Sequence, residues 1–320
     1  MKEFMGLPFD EEVFIHAWGE YPDTTTTALL DCGVIKVDPT ITSALQNGGN
    51  YFTAPFYKPL DIEPANYDGK TDVPFKDVAG GAQSGVVFGR TQGYRTIDFA
   101  SDITSADPMG NITAKVGKAW ARYDQGLLQG ILDAVLGVAT DNVKEVQDDG
   151  TEKLIAGINE SIATIFGANR VNVKALVMDT LTAVKFENIG LLHFRKGVDA
   201  KGMEVATNIA DFLGYTVVIN ESTGGKIYLL GEGAILTADP KLKHGIELSR
   251  DPVKNGGEDY LITRKRNVLH PNGFSFKKPT ADSPTDADLK NKSNYTKVFD
   301  TKDIYIGAIN LKAGSASATA

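Results

Sequence analysis

The sequence predicts an α+β fold, because it contains one long stretch with helical periodicity, one proline-interrupted stretch of extended segments, and one block of alternating strands and helices. The helical stretch covers residues 111–136 and the extended stretch residues 51–98. The alternating block covers residues 171–240 and is typical of a compact α/β subdomain. We therefore expect a chain with several distinct parts arranged around one long helix.

The composition is that of a globular protein with an excess of acidic residues. The chain has 320 residues, of which 42% are hydrophobic and 23% charged, enough for one large domain or two modest ones. Its net charge of −8 argues against tight nucleic-acid binding, which depends largely on neutralising phosphates. No apolar run approaches the roughly 18–20 residues of a membrane span. The single cysteine, Cys32, excludes an intrachain disulfide and is expected to be a small buried residue.

Residues 111–136 are predicted to form one long helix that is held by packing along one side. Its apolar residues recur at spacings of three and four: Ile112, Val116, Ala119, Trp120, Tyr123, Leu127, Leu128, Ile131, Ala134 and Val135. Asn111 is the expected N-cap and Gly137 the expected stop of a helix about 40 Å long. Gly117, Gly126 and Gly130 each cost roughly 1 kcal/mol of helix propensity, so packing must compensate. Periodicity alone also fits a core helix of an α/β enzyme.

Residues 51–98 are predicted to form a two-armed β-excursion with a loose tip. Four prolines interrupt this stretch, which argues against a central strand of a buried sheet: Pro55, Pro59, Pro64 and Pro74. Such a segment is either a disordered insertion or one whose missing contacts are supplied by another molecule. We favour the second alternative because the stretch is too apolar for a solvated linker, with Phe52, Phe56, Tyr57, Phe75, Val86, Val87 and Phe88.

The remaining elements are predicted from periodicity and turn signals. Helices are expected at residues 11–18, 24–30, 38–48, 151–166, 179–188, 206–213 and 285–298. Strands are expected at residues 174–178, 215–220, 226–230, 246–251, 259–269, 274–276 and 304–311, with loops at 141–150 and 191–204. The strand at 259–269 carries polar residues on both faces, which suits a subunit interface or an exposed edge.

No arrangement of residues in the sequence supports an enzyme, a cofactor site or a metal site. Gly231-Glu232-Gly233 follows a strand but lacks the third glycine of a dinucleotide fingerprint. The four histidines are scattered, and no metal-ligand spacing is present. Arg264-Lys265-Arg266 could meet a phosphate or a carboxylate of a neighbouring molecule, and a set of salt bridges along a strand is the alternative. We therefore expect no catalytic residues, no cofactor and no metal.

Several short motifs, in this order along the chain, resemble the major capsid proteins of tailed bacteriophages, which have the Hong Kong 97-type fold. The motifs are 51–56 (YFTAPF), 93–95 (GYR), 119–122 (AWAR), 231–235 (GEGAI), 247–251 (ELSRD), 270–274 (HPNGF) and 283–289 (SPTDADL). Each motif is weak alone, but their order is fairly specific and covers nearly all of residues 40–311.

The resemblance implies a division of the chain into named parts. These are an N-terminal arm at 1–50, an extended loop at 51–98, a peripheral domain at 99–170 with the spine helix at 111–136, an axial domain at 171–245, the returning peripheral domain at 246–312, and a flexible tail at 313–320. It also implies assembly into hexamers and pentamers of an icosahedral shell that encloses double-stranded DNA. An encapsulin-like compartment holding a cargo enzyme is an alternative, and an α/β enzyme with an unrecognised site is another.

The resemblance further implies partners and contact residues. The subunit would bind itself, a separate scaffolding protein, a portal and a decoration protein, with weak non-specific contact to DNA and no membrane. It would be assembled in the bacterial cytoplasm and reside in the virion. Lys58, Lys70 and Lys76 are candidates, by position alone, for the lysine that some relatives crosslink to a neighbour. We expect contacts between subunits from Phe56, Lys58, Lys70, Phe75, Lys76, Phe88, Arg90, Arg95, Arg250, Arg264 and Arg266.

Overall fold

The computed structural model describes most of the chain. The described residues are 2–4, 7–9, 29, 32–46, 49–58, 62–67, 69–70, 72–73, 75, 77–78, 80–99, 108–148, 152–190, 192–198, 204–220, 223–238 and 242–313. The predicted helix at 11–18, that at 24–30 apart from Leu29, the residue Lys76 and residues 314–320 lie outside this set.

Strands and helices alternate irregularly along the chain. The strands are β1 (Lys2–Phe4), β2 (Leu7–Phe9), β3 (Ile35–Val37), β4 (Tyr51–Tyr57), β5 (Gly80–Val86), β6 (Phe88–Ile97), β7 (Val143–Asp148), β8 (Val173–Met178), β9 (Leu192–Val198), β10 (Glu204–Phe212), β11 (Tyr215–Ile219), β12 (Lys226–Gly231), β13 (Ile235–Ala238), β14 (Ile246–Asp251), β15 (Glu258–Pro271), β16 (Phe274–Phe276), β17 (Tyr295–Lys297) and β18 (Ile306–Ala313). The helices are α1 (Pro39–Gln46), α2 (Pro108–Leu136), α3 (Glu152–Phe166), α4 (Thr180–Asn188) and α5 (Asp286–Leu289).

The larger sheet has seven strands in the order β7-β18-β12-β8-β11-β10-β9. The β8/β11 and β7/β18 pairs are parallel and the other pairs antiparallel. Side chains of β8 alternate between two cores: Ala175 and Val177 face the core that includes α2, while Leu176 and Met178 face the core that includes α3 and α4. The sheet is therefore covered by helices on both faces, which explains its nearly continuous apolar strands.

The smaller sheet is organised around β15. This strand pairs with β6 over residues 258–267, with β14 over residues 258–263 and with β13 over residues 268–271, and β13 also pairs with β3. Helix α1 packs on this sheet through Ile41 and Leu45, which share a core with Val268. The prediction of an exposed edge at residues 259–269 is wrong for residues 259–263, because β6 and β14 pair with this part of the strand on its two sides.

Helix α2 connects the two sheets. Its 29 residues span about 43 Å. Residues 127–136 belong to the core under the seven-stranded sheet, whereas Met109, Val116 and Trp120 pack with Leu261 of the smaller sheet. The helix begins at Pro108, a residue suited to the first helical turn, so the prediction of Asn111 as N-cap is wrong. The predicted end before Gly137 is confirmed.

A C-terminal segment lies along α2 and explains one of its glycines. A Cβ placed on Gly130 would lie 2.6 Å from Cγ of Lys290, so the lysine stem occupies the space that a side chain would need. Further along the same segment, Lys292 approaches Gly137. The missing side chain at Gly130 thus allows close packing of the C-terminal segment on α2. This packing offsets the lower helix propensity of glycine, as expected for a helix held by tertiary contacts.

Most predicted elements are confirmed, and four assignments are wrong. Residues 206–213 and 191–204, predicted as helix and loop, belong mainly to β10 and β9. Residues 141–150, predicted as a polar turn, contain β7. Residues 285–298, predicted as one helix, contain only the four-residue α5, a 3-10 turn and β17. The division into arm, loop, peripheral and axial domains stays a prediction.

Candidate assembly surfaces

The base of the extended loop is a hairpin fixed to its own subunit. β4 and β5 pair from Tyr51 and Val86 at the base to Tyr57 and Gly80 at the far end. The backbone N–H of Gly273 donates to Gln83 Oε1 at 3.2 Å, and the N–H of Ser84 donates to Ser275 Oγ at 3.1 Å. These bonds connect β5 to the turn and strand that follow β15. The base of the predicted loop is therefore anchored to other residues of the same subunit.

Aromatic contacts strengthen this base. The Phe52 ring lies edge-on to His270, with centroids 5.5 Å apart, and Phe56 lies edge-on to Phe299 at 4.7 Å. His270 is buried, and desolvation lowers its pKa to about 4, so its ring is neutral at pH 7. A Cβ on Gly85 would lie 2.8 Å from His270 Nδ1, so glycine is needed for this close approach.

The tip of the loop has the opposite character. No helix or strand forms among the described residues between Tyr57 and Gly80. Large apolar side chains there are exposed by 58% to 94%: Tyr57, Ile62, Tyr67, Val73, Phe75 and Val78. In an isolated subunit these side chains contact water, at a free-energy cost of roughly 25 cal/mol per Å² relative to burial. A fixed base and an apolar exposed tip suit a segment that is buried against another molecule.

The predicted assembly residues of the loop differ in accessibility. Phe75 and Lys58 are exposed, Phe56 is partly buried against Phe299, and Lys70 is exposed but already interacts within the chain. Phe88 is 2% exposed in the core and leaves almost no side-chain surface for a neighbour. Among the exposed apolar side chains of the tip, the sequence analysis named Phe75 as a contact residue but did not name Ile62, Tyr67, Val73 and Val78. Their signal was their apolar character within a polar, proline-containing stretch.

Arg90 forms a cluster with two residues that sequence reasoning did not identify. Its guanidinium donates to Asp286 Oδ1 through Nη2 at 2.6 Å and to the Tyr123 hydroxyl through Nε at 2.8 Å. Tyr123 in turn donates to Asp286 at 2.7 Å. Burial and the Asp286 hydrogen bond raise the pKa of Tyr123 to about 12, against the opposing effect of Arg90. Burial would raise the pKa of Asp286, but hydrogen bonds from Tyr123 and Arg90 outweigh it and the pKa is lowered. The cluster joins β6, α2 and α5.

Arg95 and Arg250 neutralise buried carboxylates at one end of the smaller sheet. Arg95 Nη1 lies 3.3 Å from Glu258, and Arg250 Nη1 lies 3.1 Å from Asp259. Both carboxylates are buried, with exposures of 0% and 1%, so each needs a cationic or hydrogen-bonding partner. Arg250 also bonds Asp98 at 2.6 Å.

Arg264 and Arg266 also have partners within the chain. Arg264 pairs with Glu247, whereas Arg266 donates to the carbonyl of Gly49 and to Asn50 Oδ1 at 3.0 and 2.9 Å. The alternative interpretation of residues 264–266, a set of salt bridges along a strand, therefore holds for Arg264 and not for Arg266. Whether any of the five arginines also contacts a second subunit stays a prediction.

No reaction centre is apparent in the described part of the chain. Within it, no group of three or more His, Cys, Asp or Glu side chains is arranged to hold a metal ion. No described helix is both long and apolar enough to cross a bilayer. Cys32, expected to be buried, is partly exposed and lines a cavity. The fold and the exposed loop tip instead have the features of the class of structural subunits that pack against another molecule.

Comparison with known proteins gives the particular relationship. The chain is 25% identical over 304 residues to the major capsid protein of Bacillus phage SPP1, covering 89% of this chain and 91% of that protein. A structure from Mycobacterium phage Adephagia matches 86% of this chain and 90% of its own, with a TM-score of 0.53 and 12% identity. The capsid of a native GTA particle matches 92% and 91%, with a TM-score of 0.52 and 12% identity. No protein-family model matches the chain.

The chain therefore has the Hong Kong 97-type fold and is a relative of the major capsid proteins of tailed phages. The resemblance to phage major capsid proteins predicted from the sequence motifs is confirmed. The comparisons do not support the encapsulin-like alternative over this one.

Proposed function

We propose that copies of this chain associate as hexamers and pentamers into the icosahedral shell of a phage head around double-stranded DNA. The observation that carries the proposal is the loop at residues 51–98, whose base is anchored and whose tip exposes apolar side chains as large as Phe75 and Tyr67. A neighbouring copy would bury the tip. The long helix joining two sheets supplies a rigid body from which such a loop can project.

The net negative charge of the chain suits a shell that encloses DNA without binding it tightly. With a net charge of −8, the shell would repel the phosphates of the packaged DNA on average, so only weak, non-specific contacts are expected. The proposal includes a separate scaffolding protein, a portal and a decoration protein as partners, with assembly in the bacterial cytoplasm before the finished virion is released. The role requires no catalysis by the chain.

The hairpin register gives a sharp test. Tyr57 pairs with Gly80, so residues 58–79 can be replaced by Asn-Gly, a two-residue connection suited to a hairpin, without loss of either strand. We expect this variant to remain folded and soluble by circular dichroism but to form no closed shells in negative-stain electron micrographs. In a second variant, a 22-residue Gly/Ser segment replaces residues 58–79, which keeps the length of the tip but removes its sequence. Normal shells from the Asn-Gly variant would refute the proposed role of the loop.

A further inference from the structure

A basic cavity lies beside the turn between β10 and β11. It has a volume of about 640 Å³, and its lining includes Cys32, Arg170, Val171, Lys174, Arg195 and Leu213, with no acidic residue. A second cavity of about 660 Å³ carries Lys36 together with Asp38 and Glu232. The two cavities are equal in size but opposite in charge, so the excess of cations is specific to the first. In a chain of net charge −8, such a cavity indicates an anionic ligand.

The cations of this cavity are largely available for a ligand. Arg195 is held by Asp211 through two bonds of 2.6 and 2.8 Å, which fix its position. Arg170 and Lys174 are exposed, and neither forms a salt bridge with another described residue. Two uncompensated positive charges therefore face one concave surface.

The rim of the cavity is apolar. Val171 is 73% exposed and Leu213 is 48% exposed, and both line the cavity. A hydrated phosphate backbone would gain nothing from covering these side chains. The matching ligand is instead a peptide segment that carries carboxylates and large apolar side chains next to each other.

The loop tip has this composition. Asp72-Val73 and Asp77-Val78 flank Phe75, and all five residues are exposed. Within one chain the tip is exposed while the cavity is open, so a contact between them must be made by two copies. The tip thus offers carboxylates that complement the cations of the cavity and apolar side chains that can cover its rim.

We propose that the loop tip of one subunit, centred on Phe75, docks into the basic cavity of a neighbouring subunit. Asp72 and Asp77 would pair with Arg170 and Lys174, while Val171 and Leu213 would cover the apolar side chains of the tip. The proposal rests on the assembly function above, and it specifies which surface of the neighbour receives the loop.

The single cysteine of the chain makes the contact testable. Cys32 lines the cavity and is partly exposed, so Val73→Cys and, separately, Val78→Cys place a thiol on the tip that can oxidise with Cys32 of a neighbour. Shells are first purified and verified by electron microscopy, which tests the assembly function separately. They are then oxidised and analysed on non-reducing gels. We expect covalent dimers and higher multimers that disappear on reduction and in the same variants carrying Cys32→Ser.

A control thiol decides whether the disulfide is specific. Val253 is 88% exposed on the hairpin between β14 and β15, so Val253→Cys reports random collisions. If verified shells of both tip variants give no more crosslinked product than Val253→Cys shells, the docking proposal is wrong while the assembly function stands. If the unmodified chain forms no shells, the assembly function fails and the docking proposal fails with it.

Charge reversal provides an independent measurement. The double variant Arg170→Glu, Lys174→Glu is expected to reduce the yield of closed shells by about tenfold, because like charges would face each other at the contact. Adding Asp72→Lys and Asp77→Lys should restore much of the yield, whereas Lys36→Glu in the other cavity should have little effect. An unchanged yield in the Arg170, Lys174 double variant would contradict the docking.

Discussion

The indole Nε1 of Trp120 donates a 3.1 Å hydrogen bond to Oγ1 of Thr263. The Thr263 hydroxyl donates in turn to the backbone carbonyl of Gln92 at 2.9 Å. Since these residues lie on α2, β15 and β6, a single chain of hydrogen bonds holds the first half of the long helix on the smaller sheet. Trp120 is 8% exposed and also lies edge-on to Tyr123 at 5.6 Å.

Truncation of this indole should strongly destabilise the subunit. We expect Trp120→Ala to lower the free energy of unfolding by about 3–5 kcal/mol, because it removes a large buried ring and leaves a cavity. Trp120→Phe should cost less, about 1–3 kcal/mol, because it keeps much of the ring but removes the donor to Thr263. Urea unfolding of the subunit with Asn-Gly at residues 58–79 measures both without interference from assembly. Equal stability of Trp120→Ala and the parent would place the ring on the surface.

Two glycines of α2 should respond differently to alanine. No atom lies within 4 Å of a Cβ placed on Gly126, so Gly126→Ala should stabilise the subunit by about 1 kcal/mol through helix propensity. Gly130→Ala should lack this gain because the Lys290 stem must move. In a subunit that already carries Lys290→Ala, the further change Gly130→Ala should stabilise the helix as Gly126→Ala does, because the lysine stem is no longer in the way. Thermal unfolding midpoints of the four variants test this, and equal shifts at both glycines would show that the Lys290 contact has no energetic effect.

The Tyr123 hydroxyl should give stability a specific dependence on alkaline pH. Its pKa is raised from 10.0 to about 12 in the folded state, so its contribution is complete below pH 10 and is lost as pH rises towards 12. Tyr228 and Tyr295 also have raised pKa values, so the contribution of Tyr123 must be measured as the difference in stability between the parent and Tyr123→Phe. We expect the parent to be more stable than Tyr123→Phe at pH 7 and this advantage to shrink between pH 10 and 12. Parallel denaturation curves of the two proteins across that range would contradict the assignment.

The hairpin between β14 and β15 should tolerate a side chain at one glycine but not at the next. Gly256 has a φ of +80° with open space around its Cβ position, so Gly256→Ala should cost about 1–2 kcal/mol of backbone strain. Gly257 has a φ of +123°, and its Cβ would collide with the Asp98 carboxylate that pairs with Arg250. We expect Gly257→Ala to cost at least 1 kcal/mol more. Chemical denaturation compares the two, and a smaller effect at Gly257 would show that Asp98 moves freely.

Local sequence signals predict α2, α3 and α4 well because these helices carry their own periodicity and end signals. The Asp179 side chain accepts from the N–H of Thr182 at 3.0 Å and caps α4 where the sequence places the start of that helix. The two strands at the base of the loop were also visible in the sequence. These features depend on residues close together in the chain.

Other elements depend on partners distant in sequence. Gly214 suggested the end of a helix at 206–213, but Leu213 and Gly214 both have positive φ and form a two-residue hairpin turn between the paired residues Phe212 and Tyr215. Ala210 and Phe212 are buried at a period of two, as expected in a strand. β7 has only Val146 fully buried and forms a strand because β18 pairs with it.

The assembly residues were the least predictable part of the candidate site. An arginine in the sequence does not indicate which carboxylate it will meet, and the partners of Arg90 lie 33 and 196 residues away in Tyr123 and Asp286. The exposure of the loop tip likewise depends on where the hairpin ends, which only the register of β4 and β5 defines. Composition could identify the loop as unusual but could not separate its anchored base from its open tip.

The position of β18 has a consequence for synthesis on the ribosome. This strand lies between β7 and β12, one position in from the edge of the seven-stranded sheet, although it is the last strand along the chain among the described residues. A nascent polypeptide that has not yet extruded residues 306–313 cannot connect β7 to β12 and the rest of that sheet. The seven-stranded sheet is thus completed only after this late segment has left the ribosome.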